Sequence, residues 1–132
     1  MRAVIADTGP LYAELDQDDQ YHHRAVFELD RLNNSQTSLV ILTSTLAEAH
    51  RLVLYKCGFN IASSFVERSI TNVSLVDPTS KDYQLAYELL KQYPDQKITL
   101  FDALIAVLFQ QTNVPVWTYD YHFDIMNVSV WR

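Results

Sequence analysis

Short runs of apolar residues alternate along this chain with longer stretches whose apolar residues recur at helical spacing. The short runs are bounded by polar residues and by residues that favour turns, such as Gly, Pro, Asn and Asp. Runs of this kind predict buried β-strands. Five strands are predicted, over residues 4–6, 38–42, 73–76, 114–117 and 128–131.

The segments between the strands are predicted to be helical. The last of them is apolar nearly all round, which predicts a buried helix. Helices that alternate with strands are typical of an α/β domain with a largely parallel sheet and helices on both faces. We therefore expect one domain over residues 1–132, with a five-stranded sheet between two helical layers. The predicted helices cover residues 11–15, 20–32, 46–56, 61–70, 81–93 and 99–111.

The composition narrows the class of protein. Hydrophobic residues make up 48% of the 132 residues, which is enough for a compact core. Cys57 is the only cysteine in the sequence, so a disulfide framework is excluded. No stretch approaches the length of a membrane span, and the N-terminus leads directly into the first strand without a cleavable signal. We expect a cytoplasmic protein that does not contact a membrane.

The charge limits how the chain could contact nucleic acid. Its formal net charge is −6. Proteins that bind nucleic acid by neutralising phosphates with their own side chains are usually basic. Two alternatives follow: nucleic acid is not the ligand, or a bound divalent cation first cancels part of the acidic charge.

Four carboxylates stand at the ends of predicted elements. Asp7 follows the first strand, ahead of Pro10, which is predicted at the first position of a helix. Glu48 and Asp102 fall in the first turns of two predicted helices, and Asp120 follows the fourth strand. Strand ends and the helix starts that follow them share one edge of a parallel sheet, where ligands bind. We therefore expect these side chains to converge.

Each carboxylate also has a purely structural interpretation. The sequences T-x-x-E at Glu48 and T-x-x-D at Asp102 resemble capping boxes, in which the acid serves the start of its helix. Asp7 could cap the turn after it, and Asp120 could form a turn. Asp102, however, lies among apolar residues on a helix predicted to be buried, where an unpaired carboxylate is costly. It therefore needs a partner or a metal ion.

A convergence of these carboxylates predicts a site for divalent cations. Neighbouring carboxylates repel and resist ionising together, so a compensating cation is needed. Oxygen ligands suit hard ions such as Mg²⁺ or Mn²⁺. Ions of this kind can activate a water molecule for attack on a phosphodiester. Such an ion would also present the positive charge that a phosphate needs in an acidic protein.

Five segments, taken in order, resemble the PIN-domain family, and especially the toxins of VapBC-type toxin–antitoxin pairs. The resemblance covers essentially the whole chain, and the segment LFDALIA is its most specific part. The segments are the strand that ends in Asp7-Thr8, the stretch DQDDQYH over 16–22, TLAE over 45–48, LFDALIA over 100–106 and TYDYHF over 118–123.

The resemblance implies a PIN-like fold and an Mg²⁺- or Mn²⁺-dependent endoribonuclease that cleaves RNA. It also implies a frequent homodimer and an antitoxin protein that blocks the site. Applied residue by residue, it implies a catalytic and metal-binding set with two supporting threonines: Asp7, Glu48, Asp102 and Asp120, with Thr8 and Thr118.

One position departs from the family pattern. Many relatives have an acid immediately before the closing phenylalanine, where this chain has His122. Asp124 is the candidate replacement, and the number of metal ions, one or two, stays open. Arg51 and Tyr12 are candidate substrate contacts, for a phosphate and a base respectively. A solvated helix face for Arg51 and packing for Tyr12 are the alternatives.

Two other functions remain open at the level of sequence. One is a non-catalytic PIN-like module that binds RNA or a protein, although the presence of all four acids counts against it. The other is a phosphoryl-transfer enzyme of the haloacid dehalogenase type, which also has an aspartate after its first strand. That type needs a second aspartate two residues later, where this chain has Gly9.

Overall fold

A four-stranded parallel sheet forms the centre of the computed structural model, which describes residues 2–132. The strands are β1 (Arg2–Ala6), β2 (Thr37–Leu42), β3 (Ser74–Val76) and β4 (Val116–Trp117). Their order in the sheet is β3-β2-β1-β4, with β1 pairing in parallel with both β2 and β4. The carboxyl ends of the four strands therefore lie at one edge of the sheet.

The described part of the chain has seven helices, of which six connect the strands in pairs and the seventh follows the last strand. Among the residues from 2 to 132, no helix combines the length and the apolar character that crossing a membrane requires. The helices are α1 (Thr8–Leu15), α2 (His22–Asn34), α3 (Thr43–Cys57), α4 (Phe59–Asn72), α5 (Ser80–Leu90), α6 (Leu100–Thr112) and α7 (His122–Ile125).

Successive residues of β1 face opposite sides of the sheet and divide the core into two parts. Val4 and Ala6 belong to a cluster that also holds buried residues of α1, α2, α3 and α4. Ile5 belongs to a second cluster, formed with buried residues of α5, α6 and α7. Side chains alternate along a strand, so a strand buried on both faces needs helices on both sides. The predicted α/β architecture with three layers is confirmed.

The predicted fifth strand is wrong. Residues 128–131 form a single parallel bridge, between Val130 and Val116, instead of a strand. The Val116 N–H donates to the Ser129 carbonyl at 2.9 Å, and the Trp131 N–H donates to the Val116 carbonyl at 2.8 Å. Because β4 is only two residues long, it offers a further strand little to pair with. The described sheet consequently has four strands.

Two predicted helix starts also change. β2 leads into α3 without a loop, because the helix begins at Thr43 instead of residue 46. Hydroxyl residues favour turns, but here Thr45 is fully buried inside the helix. Glu48 therefore lies in the second turn, and T-x-x-E is not a capping box. Pro10 is the third residue of α1 and not the first, still within the turn where a missing N–H costs nothing.

Candidate metal centre

The four carboxylates line one cleft at the carboxyl edge of the sheet. The cleft has a volume of about 510 Å³, and each acid reaches it from a different element. Asp7 is the N-cap of α1 directly after β1, and Glu48 comes from α3. Asp102 lies in the first turn of α6, and Asp120 in the loop that follows β4. The antiparallel course of helices relative to the strands brings the start of α6 back to this edge.

Asp7 is the most deeply buried of the four, with 6% of its surface exposed. Its Oδ1 accepts the Thr8 N–H at 2.8 Å, and its Oδ2 accepts the Thr118 hydroxyl at 2.8 Å. The Thr118 hydroxyl oxygen in turn accepts the Asp120 N–H at 3.0 Å. Burial, followed by the charge of Asp102, raises the pKa of Asp7 to about 7. This carboxylate is thus well oriented and poorly stabilised as an anion.

Glu48 is tied to the start of α1 through Thr8. The Thr8 hydroxyl donates to Glu48 Oε1 at 2.5 Å, while the backbone N–H of the same residue donates to Asp7. One threonine therefore holds two carboxylates, Asp7 and Glu48, that are 41 residues apart in sequence. A charge-assisted hydrogen bond from a hydroxyl fixes the direction in which a carboxylate presents its free oxygen.

Asp102 serves its own helix and the cleft at once. Its backbone N–H donates to the Thr99 hydroxyl at 3.2 Å, and its Oδ2 accepts the Thr99 N–H at 3.5 Å. The capping box that the sequence suggests here is therefore present. Burial is the main cause that raises the pKa of Asp102, and the charge of Asp120 is the next. The capping box does not offset these two effects.

His122 joins two of these acids, although the sequence pattern did not assign it to the site. Asp102, Asp120 and His122 each offer a ligand atom, and the three atoms lie within 4.8 Å of one another. Asp120 Oδ1 accepts the His122 backbone N–H at 2.9 Å. The imidazole Nδ1 lies 3.1 Å from the same oxygen, but no described group gives this buried nitrogen a well-directed hydrogen bond. The only sequence signal was the spacing D-x-H at the start of a short helix.

The remaining predicted residues lie in different surroundings. Tyr12 lines the cleft and donates its hydroxyl to Asp16, and burial raises its pKa. Arg51 is exposed and lies outside the cleft lining, with its guanidinium 5.6 Å from the centre of the Tyr55 ring. Asp124 is exposed on α7 and lies 3.9 Å from the Arg132 guanidinium, away from the acid cluster. It therefore does not replace the acid that His122 displaces.

A buried carboxylate that the sequence did not reveal anchors one wall of the cleft. Glu28 of α2 is 6% exposed, and its Oε1 accepts the Tyr119 hydroxyl at 2.5 Å and the Trp117 indole N–H at 3.1 Å. The Arg24 guanidinium lies 4.3 Å from the centre of the Tyr119 ring and pairs with Glu28 at 3.4 Å. The ring of Tyr119 is thereby held against the cleft. In sequence, Glu28 was one of several acids on an amphipathic helix.

The donor set of this cleft fits a divalent cation. Among the described residues that line it, none is lysine or arginine, so no side chain there neutralises the carboxylates. Two of the acids have raised pKa values because their charges are buried and repel. A hard cation held by carboxylate oxygens removes both causes together. The residues that could hold it are Asp7, Glu48, Asp102 and Asp120.

Several solved structures share this fold. The toxin VapC20 of Mycobacterium tuberculosis has a TM-score of 0.86 at 20% identity, covering 98% of both chains. VapBC2 of Rickettsia felis has a TM-score of 0.73 at 17% identity, over 98% of this chain and 97% of the other. FitAcB of Neisseria gonorrhoeae has a TM-score of 0.66 at 21% identity, over 98% and 96%. At such identities the likeness shows a common fold.

Sequence comparison identifies the family. No curated protein sequence gives a significant match to this chain. The profile of the PIN domain matches residues 4–128, which includes all four carboxylates and both threonines that orient them. The match covers nearly the whole chain, and the chain belongs to the PIN domain family.

Proposed function

We propose that this protein is a divalent-metal-dependent endoribonuclease that hydrolyses RNA phosphodiesters, and that it is the toxin of a toxin–antitoxin pair. The observation that carries this proposal is the cleft in which Asp7, Glu48, Asp102 and Asp120 meet at the carboxyl edge of a PIN domain. Asp7 has a pKa of about 7 and that of Asp102 is raised, and the described lining holds no lysine or arginine, so a bound cation would favour the ionised form of both carboxylates.

Mg²⁺ or Mn²⁺ would supply the chemistry that these side chains lack: it would attract the phosphate and lower the pKa of the attacking water. The chain itself would hold that ion and fix its ligands. Thr118 orients Asp7 and the backbone of Asp120 together, and Thr8 orients Glu48. Such outer contacts reduce the freedom of the ligands and thereby preorganise the site.

The walls of the cleft suit a single-stranded nucleic acid. Four tyrosines line it, and Tyr121 is 64% exposed. Bases of any sequence stack on aromatic rings, which compensates for the net charge of −6 of the chain. Tyr12 would contribute from the lining of the cleft, whereas Arg51 could reach only the part of an RNA that extends beyond it. The four are Tyr12, Tyr21, Tyr119 and Tyr121.

The biological role is proposed from the relatives. VapC20 is described as a toxin that cleaves the sarcin–ricin loop, and VapBC2 was solved bound to a DNA fragment from its promoter. We propose an RNA substrate, an antitoxin that covers the cleft and a homodimer as the assembled form, in the cytoplasm. A single domain over residues 1–132 is part of the same proposal.

The proposal predicts that the purified protein cleaves single-stranded or loop RNA when Mn²⁺ or Mg²⁺ is present and stops when EDTA is added. Asp7→Asn should reduce the rate by about 10²–10³-fold, the loss typical when one electrostatic contribution to a transition state is removed, because it takes away a charged ligand of the ion that would attract the phosphate. Asp124→Asn is the matched control, since Asp124 is exposed and lies outside the cleft lining. Gel analysis of a labelled RNA measures both rates.

Two results would overturn the proposal. One is cleavage that continues without a metal ion, and the other is full activity of Asp7→Asn. Titration calorimetry adds a separate reading, because a protein that binds RNA but neither Mn²⁺ nor Mg²⁺ would be a non-catalytic module.

A further inference from the structure

His122 brings a nitrogen donor into a cleft that otherwise offers oxygen. One of its ring nitrogens lies within 4.8 Å of carboxylate oxygens of both Asp102 and Asp120, and those ligand atoms lie within 4.8 Å of each other. Ligands that lie about 2.0–2.2 Å from one ion are at most about 4.4 Å from each other, so a small closure of these side chains would place all three atoms around one ion. Among the described residues, this is the only such group of three.

The position of the His122 ring is set by its surroundings. The side chain is 12% exposed, and the ring packs against Tyr121 with 4.5 Å between ring centres. Its backbone N–H is fixed to Asp120 Oδ1 at 2.9 Å. The imidazole is therefore placed beside the acids by the fold, and it does not reach them as a free surface side chain would.

The Nδ1 atom of this ring lacks a partner in the described structure. It is buried, and its approach to Asp120 Oδ1 at 3.1 Å does not have the direction of a hydrogen bond. A buried polar atom left without a partner costs about 1–3 kcal/mol. Neutral imidazole is a common metal ligand. The separation of 3.1 Å between Nδ1 and Asp120 Oδ1 is one that two neighbouring ligands of a single ion can have.

We propose that His122 is a nitrogen ligand of the metal centre, beside Asp102 and Asp120, and that it makes the site prefer Mn²⁺ to Mg²⁺. Mg²⁺ strongly favours an all-oxygen octahedral shell, whereas first-row transition ions accept imidazole and carboxylate together. Where many relatives have an acid, His122 brings no negative charge to the site. The loss of that charge weakens the binding of Mg²⁺, which is held mainly by electrostatic attraction. This inference rests on the proposed function, since it assigns a ligand of the same metal centre.

Pulsed electron paramagnetic resonance of the Mn²⁺-loaded protein tests the inference directly. A coordinated imidazole gives a ¹⁴N modulation that becomes a ¹⁵N pattern when the histidines carry ¹⁵N, and carboxylates give neither. We expect this coupling in the unmodified protein. It should disappear in His122→Asp and persist in His23→Gln, since His23 is exposed and lies outside the acid cluster. The unmodified protein gives a decisive result even if His122→Asp does not fold.

Calorimetric titration with each metal alone gives the second reading. Mutation of even an outer-shell partner of a metal site typically costs about 10–100-fold in affinity, so exchange of the nitrogen ligand in His122→Asp should reduce the ratio of Mg²⁺ to Mn²⁺ dissociation constants by at least about 10-fold. Mn²⁺ binding without ¹⁴N coupling would overturn the nitrogen ligand and leave the proposed nuclease intact. Absence of Mn²⁺ binding would overturn both, and the two failures are thereby distinguished.

Discussion

Two neighbouring helices of this protein begin with the same four-residue motif, a capping box. α5 starts after Thr79 and α6 after Thr99, and each threonine hydroxyl accepts the backbone N–H of an aspartate three residues later. In both, the aspartate returns the contact to the threonine N–H, at 2.8 Å for Asp82 and at 3.5 Å for Asp102. Local sequence and backbone geometry make the two starts almost equivalent.

The surroundings give the two aspartates opposite properties. Asp82 is partly buried and its hydrogen bonds are exposed; the Thr79 N–H, and next the Gln111 amide, hold its pKa below the usual range. Asp102 is 8% exposed, and its pKa is raised by burial and by Asp120. A capping box therefore explains why a helix begins at these residues. It does not determine whether the acid is a cap alone or also a metal ligand.

The burial of acids in the cleft is expected to have its largest effect on how the free energy of unfolding depends on pH. Asp7, which shares the cleft with Asp102, has a pKa of about 7 in the folded protein against 3.8 as its ordinary value. Between those values the folded state binds more protons than the unfolded state, so stability falls as the pH rises from about 4 to about 7 and levels off above that. A shift of about three units corresponds to about 4 kcal/mol, of which about 3 kcal/mol is lost between about pH 5 and about pH 8, and Asp102 acts in the same direction. Urea unfolding in EDTA, from about pH 5 to about pH 8, measures the loss.

Two variants distinguish the acids of the cleft from the acid of the α5 capping box. Asp7→Asn should remove most of the change of the free energy of unfolding with pH, because the amide does not ionise. Asp82→Asn should leave it unchanged, since the lowered pKa of Asp82 gives a stabilisation that is constant at pH values well above 3.8 and is lost only as the pH falls below that value. A metal-free protein whose stability stays level or rises between about pH 5 and about pH 8 would contradict the buried charge of the cleft.

The next effect concerns metal binding. At a concentration about one hundred times its dissociation constant, Mn²⁺ should stabilise the protein by about 2.7 kcal/mol. Asp102→Asn should lose most of this gain, because an amide is a weaker ligand and bears no charge. Asp82→Asn should keep it, although it changes the same position of the same capping motif. Thermal unfolding with and without Mn²⁺ compares the two, and equal stabilisation of both variants would contradict the assignment of Asp102.

The layered fold was predictable from short-range patterns. Strands β1 and β2 are apolar on both faces, and the amphipathic or apolar segments between strands became helices near their expected positions. The errors fall where long-range packing overrides local preference. Thr45 carries a hydroxyl that favours a turn, yet it lies buried inside α3. The residues after Asn127 have the composition of a strand, but β4 is too short to pair with them beyond one bridge.

The candidate site was only partly predictable from the sequence. Three acids were readable because the ends of parallel strands and the starts of helices share an edge, and Asp102 stood out as a charge among apolar residues. Glu28 was not readable, since nothing local distinguishes an acid that accepts a buried indole N–H. His122 could be recognised as a departure from the family but not as a member of the cluster, because that depends on the fold of the loop around it.

The smallest effect tests the claim that the exposed capping box is structural only. Thr79→Ala removes the hydroxyl that accepts the Asp82 N–H at 3.1 Å, and the loss of such a cap costs about 1 kcal/mol. Thr79→Ser should recover most of it, because serine supplies the same oxygen. Urea unfolding measures this cost, and the dependence of the free energy of unfolding on urea concentration should not change. The Mn²⁺ affinity of Thr79→Ala should stay the same.

Thr99→Ala is the matched change at α6, where the threonine also lines the cleft, and it should weaken Mn²⁺ binding as well as stability. If both alanine variants lowered stability alike and left Mn²⁺ affinity unchanged, the capping box of α6 would be structural too, and the position of Asp102 would not depend on it.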